Sequence, residues 1–306
     1  MTDQELLADI KRLKKERNAV ILAHTYQPGV IQDVADFVGD SYGLSVKVSQ
    51  LEGADMIVFC GVRFMAETAA ILNPEKVVLM PAEDAGCPMA EMINAKQLMQ
   101  FKAEHPGAIV MCYVNSTAEV KAESDICCTS SNAEKIVRKL DPNQEILFVP
   151  DQHLGGYVRD LLHHPMVLWN GYCPAHQKLK GGMLRKLKAE YPGAKVMVHP
   201  ETAQEVRNEA DYVLSTGQML DEVAKAPAGS CFIVGTETGI MHALQKANPD
   251  KKFIAGCPEL VCDDMKKVNL QNLRDCMVNV APRIVVDPEI ARKARISIEA
   301  MLRLSK

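Results

Sequence analysis

Ten short apolar runs punctuate the chain, and none of them alternates with polar residues: AVILAH from 19, MIVFC from 56, KVVLM from 76, AIVMCYV from 108, EILFVP from 145, MVLW from 166, AKVMVH from 194, DYVLS from 211, CFIVG from 231 and KFIAG from 252. A strand that is apolar on both of its faces belongs in a sheet covered on both sides. Between the runs lie segments of helical period, such as PMAEMINAKQLMQFKAEH and AHQKLKGGMLRKLKAEY. Strand-helix-strand alternation of this length predicts parallel sheets joined by right-handed crossovers. Amphipathic helices are predicted at both ends, over MTDQELLADIKRLKKER and over EIARKARISIEAMLRL after Pro288.

The pattern repeats. Lys102 to Met111 reads KAEHPGAIVM and returns 86 residues later as KAEYPGAKVM. The stretch NSTAEVKAESDICCTSSN from Asn115 has a counterpart, ETAQEVRNEADYVLSTGQ, from Glu201, and a fainter one, HTYQPGVIQDVADFVGDS, from His24. The register that aligns Asp36, Asp125 and Asp211 also aligns Ser41, Ser130 and Thr216, and it aligns His24, Tyr113 and His199. Three cysteines precede proline, at Cys87-Pro88, Cys173-Pro174 and Cys257-Pro258, 86 and 84 residues apart. Self-similarity at this period sets the architecture, and units of roughly 85 residues carry too little core to stand separately. The predicted fold is α/β, with three pseudo-threefold-related αβα sandwiches, each holding a small parallel sheet, around a central site. The expected boundaries are 1–88, 89–174 and 175–258, with 259–306 forming a C-terminal segment whose helix packs back on the body.

Composition narrows the function classes. A formal charge of −4 leaves no basic footprint for nucleic acid. No run of about 20 apolar residues is present to span a bilayer. The charged N-terminal helix is not a signal peptide, so a cytoplasmic location is expected. Ten cysteines in that compartment are not a disulfide framework. Cys60, Cys112 and the adjacent Cys127-Cys128 fall in strands and read as core, which leaves the Cys-Pro trio as the chemically distinctive subset.

In open parallel sheets, ligands gather beyond the carboxyl ends of the strands. First strands here end at His24-Thr25-Tyr26-Gln27, Tyr113-Val114-Asn115 and His199-Pro200-Glu201. Second strands end at Ser41, Ser130 and Thr216, third strands near Arg63, Asp151 and Thr236-Glu237, and fourth strands lead into Cys87, Cys173 and Cys257. Three thiolates sharing one axis suit an iron-sulfur cube that leaves one iron open, and an open metal position can polarise a substrate. The competing reading is a structural turn inherited with the repeat. Cys173-Pro-Ala-His176 and Cys257 with Cys262 are rival local metal pairs that lack a second half. The aligned hydroxyls suit either helix capping or a small anion at helix starts. Tyr26, Tyr113, His24, His199 and Glu201 are the acid-base candidates.

The segments HTYQ (24–27), YVNSTAEVKAESDICCTSSNA (113–133), GYCPAHQ (171–177), HPE (199–201), STGQM (215–219), GTETG (235–239) and AGCPELVCDDMKKVN (255–269) together resemble the quinolinate synthase family over essentially the whole chain. The resemblance implies condensation of iminoaspartate with dihydroxyacetone phosphate to give quinolinate, phosphate and water. It implies a [4Fe-4S] cluster held by three cysteines, which the repeat register assigns to Cys87, Cys173 and Cys257, with Cys262 close beside the last. It also implies a substrate site lined by His24, Tyr26, Ser41, Tyr113, Asn115, Ser130, His199, Glu201, Ser215 and Thr216. Among these, Glu201, Tyr26, Tyr113 and His24 are expected to act in catalysis. An aspartate-oxidising enzyme is the implied source of iminoaspartate. A cluster-dependent hydro-lyase acting on one hydroxy acid is the alternative enzyme class, and a cluster-based sensor of small anions is the non-enzymatic one.

Overall fold

The computed structural model describes residues 1–306 and places each of the ten apolar runs in a parallel sheet. The first sheet contains β1 (Ala19–His24), β2 (Phe37–Gly39), β3 (Met56–Cys60) and β4 (Val77–Leu79) in the order β2-β1-β3-β4. The second contains β5 (Ile109–Tyr113), β6 (Ile126–Cys128), β7 (Ile146–Val149) and β8 (Met166–Leu168) in the order β6-β5-β7-β8. The third contains β9 (Lys195–Val198), β10 (Tyr212–Val213), β11 (Cys231–Gly235) and β12 (Lys252–Ala255) in the order β10-β9-β11-β12. The order is the same three times, and every pairing is parallel. The three-unit α/β architecture read from the repeat is therefore the observed one.

The aligned aspartates explain why the register is so uniform. Asp36, Asp125 and Asp211 each accept the backbone N–H of the residue fifteen positions earlier, Ile21, Val110 and Val196, at 2.8 Å in all three cases. Each also returns its own N–H to the carbonyl of that same residue. The side chain thus closes the ladder where the short second strand begins, and it does so at the same point in every sheet.

Central strands are buried beyond their first residue, and β3 and β7 are buried throughout. Ile21, Leu22, Ile57, Val58, Leu147 and Phe148 are all inaccessible to solvent, each contributing about 1.5–3 kcal/mol of hydrophobic stabilisation. One continuous core unites the terminal helices with the first two units and with part of the third, including Met197, Phe232, Val234 and Leu244, whereas Leu179, Leu184, Val196, Val206 and Ile233 form a smaller separate cluster in the third. The helix Pro288–Leu304 lies on the second unit, where Ser297 Oγ donates to the Lys121 carbonyl at 2.8 Å. No helix is long and apolar enough to cross a membrane.

In each sheet the first strand lies between the second and the third, so the chain leaves it in one direction and later crosses to the other side. That reversal makes the carboxyl end of the first strand the natural ligand crevice.

Candidate functional site

The three crevices open into one shared cavity lined by residues of all three units. His24 ends β1 and Tyr26 follows it, Tyr113 ends β5 and Asn115 follows it, and His199 and Glu201 follow β9, and all six line it. The first and third units use the same local device. Tyr26 N donates to His24 Nδ1 at 3.1 Å, and Glu201 N donates to His199 Nδ1 at 3.3 Å. Each ring therefore accepts through Nδ1 and carries its proton on Nε2. Burial pulls both imidazoles down to about 4, so they are neutral at neutral pH. The Nε2 of His199 meets Ser130 Oγ at 3.1 Å.

Glu201 is held between Tyr113 and His176. Its Oε1 accepts Tyr113 Oη at 2.5 Å, and its Oε2 lies 2.8 Å from His176 Nδ1. Burial acts to raise the carboxyl, but the His199 and His176 rings and the bonds from His176 and Tyr113 outweigh it, holding it below the usual range and ionised. A carboxylate can only accept, so His176 donates through Nδ1. Its Nε2 is 2.8 Å from Thr236 Oγ1, Thr236 Oγ1 is 2.7 Å from Tyr26 Oη, and Tyr26 Oη is 2.8 Å from Thr216 Oγ1. An unbroken hydrogen-bonded chain thus runs from Tyr113 through Glu201, His176 and Thr236 to Tyr26 and Thr216. Burial pushes both tyrosines well above their ordinary value, and the Glu201 charge adds to it. Both phenols keep their protons.

The aligned hydroxyls are not the helix caps. Asp40 caps the helix Ser41–Ser49 and Ser215 caps Thr216–Lys225, while Asn132 precedes the short helix Ala133–Val137. With capping delegated to neighbours, Ser41, Ser130 and Thr216 face the cavity. Ser215, expected among the lining residues, lies outside the lining. Its Oγ accepts Gln218 N and bonds Ser131 Oγ at 2.9 Å, which commits it to structure. Ser131 in turn donates to Asp40 at 2.5 Å, and Gly217 N reaches the same carboxylate oxygen at 3.3 Å, tying the three units at the rim. The buried Asn115 Oδ1 has no hydrogen-bond partner in the protein, so a ligand donor is its natural complement.

The thiols facing the cavity are Cys87, Cys173 and Cys262. Cys257, which the repeat register selects, does not line it; its Sγ donates at 2.9 Å to Glu259, an exposed residue. The physical reason lies in the chain between them. Leu260 is fully buried in the small third core, and anchoring it turns Cys257 away and brings Cys262 round to the cavity. All four sulfurs receive backbone N–H groups in the same manner, Cys87 from Ala90 and Met89, Cys173 from His176, Cys257 from Glu259 and Leu260, and Cys262 from Met265 and Asp264. The turn is thus a repeated feature, and only its direction differs. Burial raises the thiols of Cys87, to about 12, and of Cys173 and Cys262. Three thiols on one cavity, each with N–H donors at sulfur, are the donor set an iron-sulfur cube with three cysteine ligands requires. Cys173, His176 and Glu201 also bring a sulfur, a ring nitrogen and a carboxylate oxygen within 4.8 Å of one another, a second grouping able to hold a metal ion.

Sequence reasoning missed His176, Thr236 and Glu237 as site residues, although each sits at a flagged strand end or Cys-Pro turn. It also missed the apolar wall of Val62, Phe64, Met65, Met89 and Met265, because apolar residues after a strand look like core.

The profile of the family described as Quinolinate synthetase A protein matches residues 8–303. A protein named quinolinate synthase from Dehalococcoides mccartyi (strain CBDB1) is 53% identical over 295 residues, 96% of this chain and 97% of the relative. Proteins of the same name from Geobacter metallireducens and Methanoregula boonei are 47% and 48% identical over 298 and 305 residues. They cover 97% and 99% of this chain and 97% and 100% of the relatives.

Proposed function

The chain belongs to the Quinolinate synthetase A protein family, and from that premise we propose that this enzyme condenses iminoaspartate with dihydroxyacetone phosphate to quinolinate, with loss of phosphate and water, in the cavity shared by the three units. Cys87, Cys173 and Cys262 hold a [4Fe-4S] cluster, Cys262 replacing the Cys257 of the repeat register. When bound, such a cluster supplies a Lewis-acidic iron with one open position.

The protein's own residues supply the rest. Ser41 and Thr216 stand at helix starts, where unpaired N–H groups favour anions, and with Ser130 they receive the phosphate and carboxylate groups. Asn115 Oδ1, left without a partner, accepts a substrate N–H or O–H. His24 is neutral, with Nδ1 occupied by Tyr26 N, and offers Nε2–H to a substrate oxygen. Glu201 is ionised and takes the substrate proton as general base. His176 and Thr236 pass protons between Glu201 and Tyr26, and Tyr26 and Tyr113 return them to leaving hydroxyl groups. The site works in a cytoplasmic setting on small anions, with iminoaspartate supplied by an aspartate-oxidising enzyme.

The continuous chain from Glu201 to Tyr26 carries this reading. Glu201→Gln is expected to lower anaerobic quinolinate formation by about 10²–10⁴-fold while the visible absorbance of the reconstituted cluster stays. Normal turnover in that variant would remove Glu201 from the mechanism. Turnover of a hydroxy acid alone, with no need for dihydroxyacetone phosphate, would point to a hydro-lyase.

A further inference from the structure

Asp151 and Glu237 occupy equivalent places, each the second residue beyond the third strand of its sheet, β7 and β11. Each accepts the N–H two residues on, Asp151 from His153 at 3.0 Å and Glu237 from Gly239 at 2.7 Å. Asp151 spends its remaining capacity on Leu154 N of its own helix. Glu237 is one methylene longer, and its other oxygen reaches beyond its own turn to accept Cys262 N at 3.2 Å. Its charge is met by Lys266 Nζ at 2.8 Å, and Lys266 Nζ also donates to the Tyr26 carbonyl. The turn is pressed against the first unit, since a Cβ on Gly239 would lie 2.6 Å from the Tyr26 carbonyl oxygen. Glu237 is itself buried, at 1% exposure, and lines the cavity.

The loop that carries Cys262 belongs to no strand or helix. Its links to the β11 turn are the Thr238 N–H to the Leu260 carbonyl at 2.9 Å and the Glu237 bond. The first holds the residue before the Val261-Cys262 pair, and the second holds Cys262 itself. We propose that Glu237 is the positioning residue for the third cysteine, holding the Cys262 backbone at the cavity while Lys266 locks that loop to the Tyr26 segment of the first unit. The extra methylene relative to Asp151 is what lets the third unit use a cysteine five residues beyond the one its repeat supplies. Both oxygens of Glu237 accept hydrogen bonds, so glutamine leaves one donor unanswered and aspartate falls short of Cys262. This inference rests on Cys262 being a cluster ligand.

The test combines two readouts on Glu237→Gln and Glu237→Asp. In cluster-free protein, amide hydrogen exchange at Cys262 should accelerate about tenfold or more, while the β9 amides keep parental protection. In reconstituted protein, iron release to a chelator should accelerate about 10–100-fold, the usual cost of losing a partner that orients a metal ligand. Parental exchange at Cys262 and parental iron release in both variants would overturn the inference. Equal loosening of the β9 amides would also overturn it, reducing Glu237 to general support of the fold. Cys262→Ser separates this from the cluster reading: full iron retention there defeats the ligand assignment itself, whereas iron loss there with unchanged Glu237 variants defeats the positioning role alone.

Discussion

Cys173 and Cys257 occupy the same register in the second and third units, and both precede proline. Both sulfurs take backbone N–H groups from the residues that follow. Yet Cys173 opens on the cavity beside His176, with their side chains 3.2 Å apart, whereas Cys257 is buried in the small core of the third unit, its Sγ 2.9 Å from Glu259. The second unit shares a continuous core with the first, and the third packs much of its interior as a separate cluster that includes Cys257 and Leu260. A duplicated turn keeps its local hydrogen bonds because they depend on adjacent residues. Where it points depends on the packing of the residues just beyond it, and that packing has diverged.

The strongest way to break this comparison is to remove each cysteine of the third unit in turn. Cys262→Ser should abolish nearly all visible cluster absorbance and quinolinate formation, while Cys257→Ser should keep both. The opposite result would restore the symmetric assignment.

A second measurement asks where the symmetry survives. His24 and His199 are both buried, in the first and third units, and lowered from 6.5 to about 4. Above pH 6.5 neither the folded nor the unfolded form of these rings is charged, so they contribute no pH dependence. Below it the unfolded chain binds protons first, and stability falls by about 1.4 kcal/mol per pH unit for each ring until about pH 4. Urea unfolding at pH 7 and pH 5 should therefore show a loss of about 2 kcal/mol per histidine. His24→Gln and His199→Gln should each recover one share of that loss, and unequal shares would show that the two rings have diverged as the cysteines have.

The smallest expected effect concerns the ladder-closing aspartates. Asp36→Asn, Asp125→Asn and Asp211→Asn should each cost about 1 kcal/mol, the order of a single hydrogen bond, as measured by chemical denaturation. A near-zero value in the third unit alone would extend its divergence from the cysteine loop to the sheet.

Most of the fold could be read in the chain, because doubly covered parallel strands print as unbroken apolar runs such as MIVFC and CFIVG. Only β2 and β6 fell outside those runs; each is three residues long, and their presence was marked instead by Asp36 and Asp125. The site was legible where function repeats with the architecture, as at His24 and His199. It was not legible where function broke the repeat. The local mark that separates Cys257 from Cys262, the proline that follows it, selects the thiol that does not face the cavity. His176 reads as half of a local metal pair with Cys173, and its partnership with Glu201 and Thr236 joins residues distant in sequence. Glu237 could have been noticed as the glutamate standing where the second unit has Asp151.

Neither lysine nor arginine lines the cavity. If the molecules that enter are anions, they are met there by hydroxyls, amide dipoles and neutral imidazoles rather than by opposite charge. Such contacts act over the length of a hydrogen bond and are barely screened by dissolved ions. The half-saturating substrate concentration of this enzyme should therefore change little with ionic strength, and the site should sort its ligands by outline rather than by total charge.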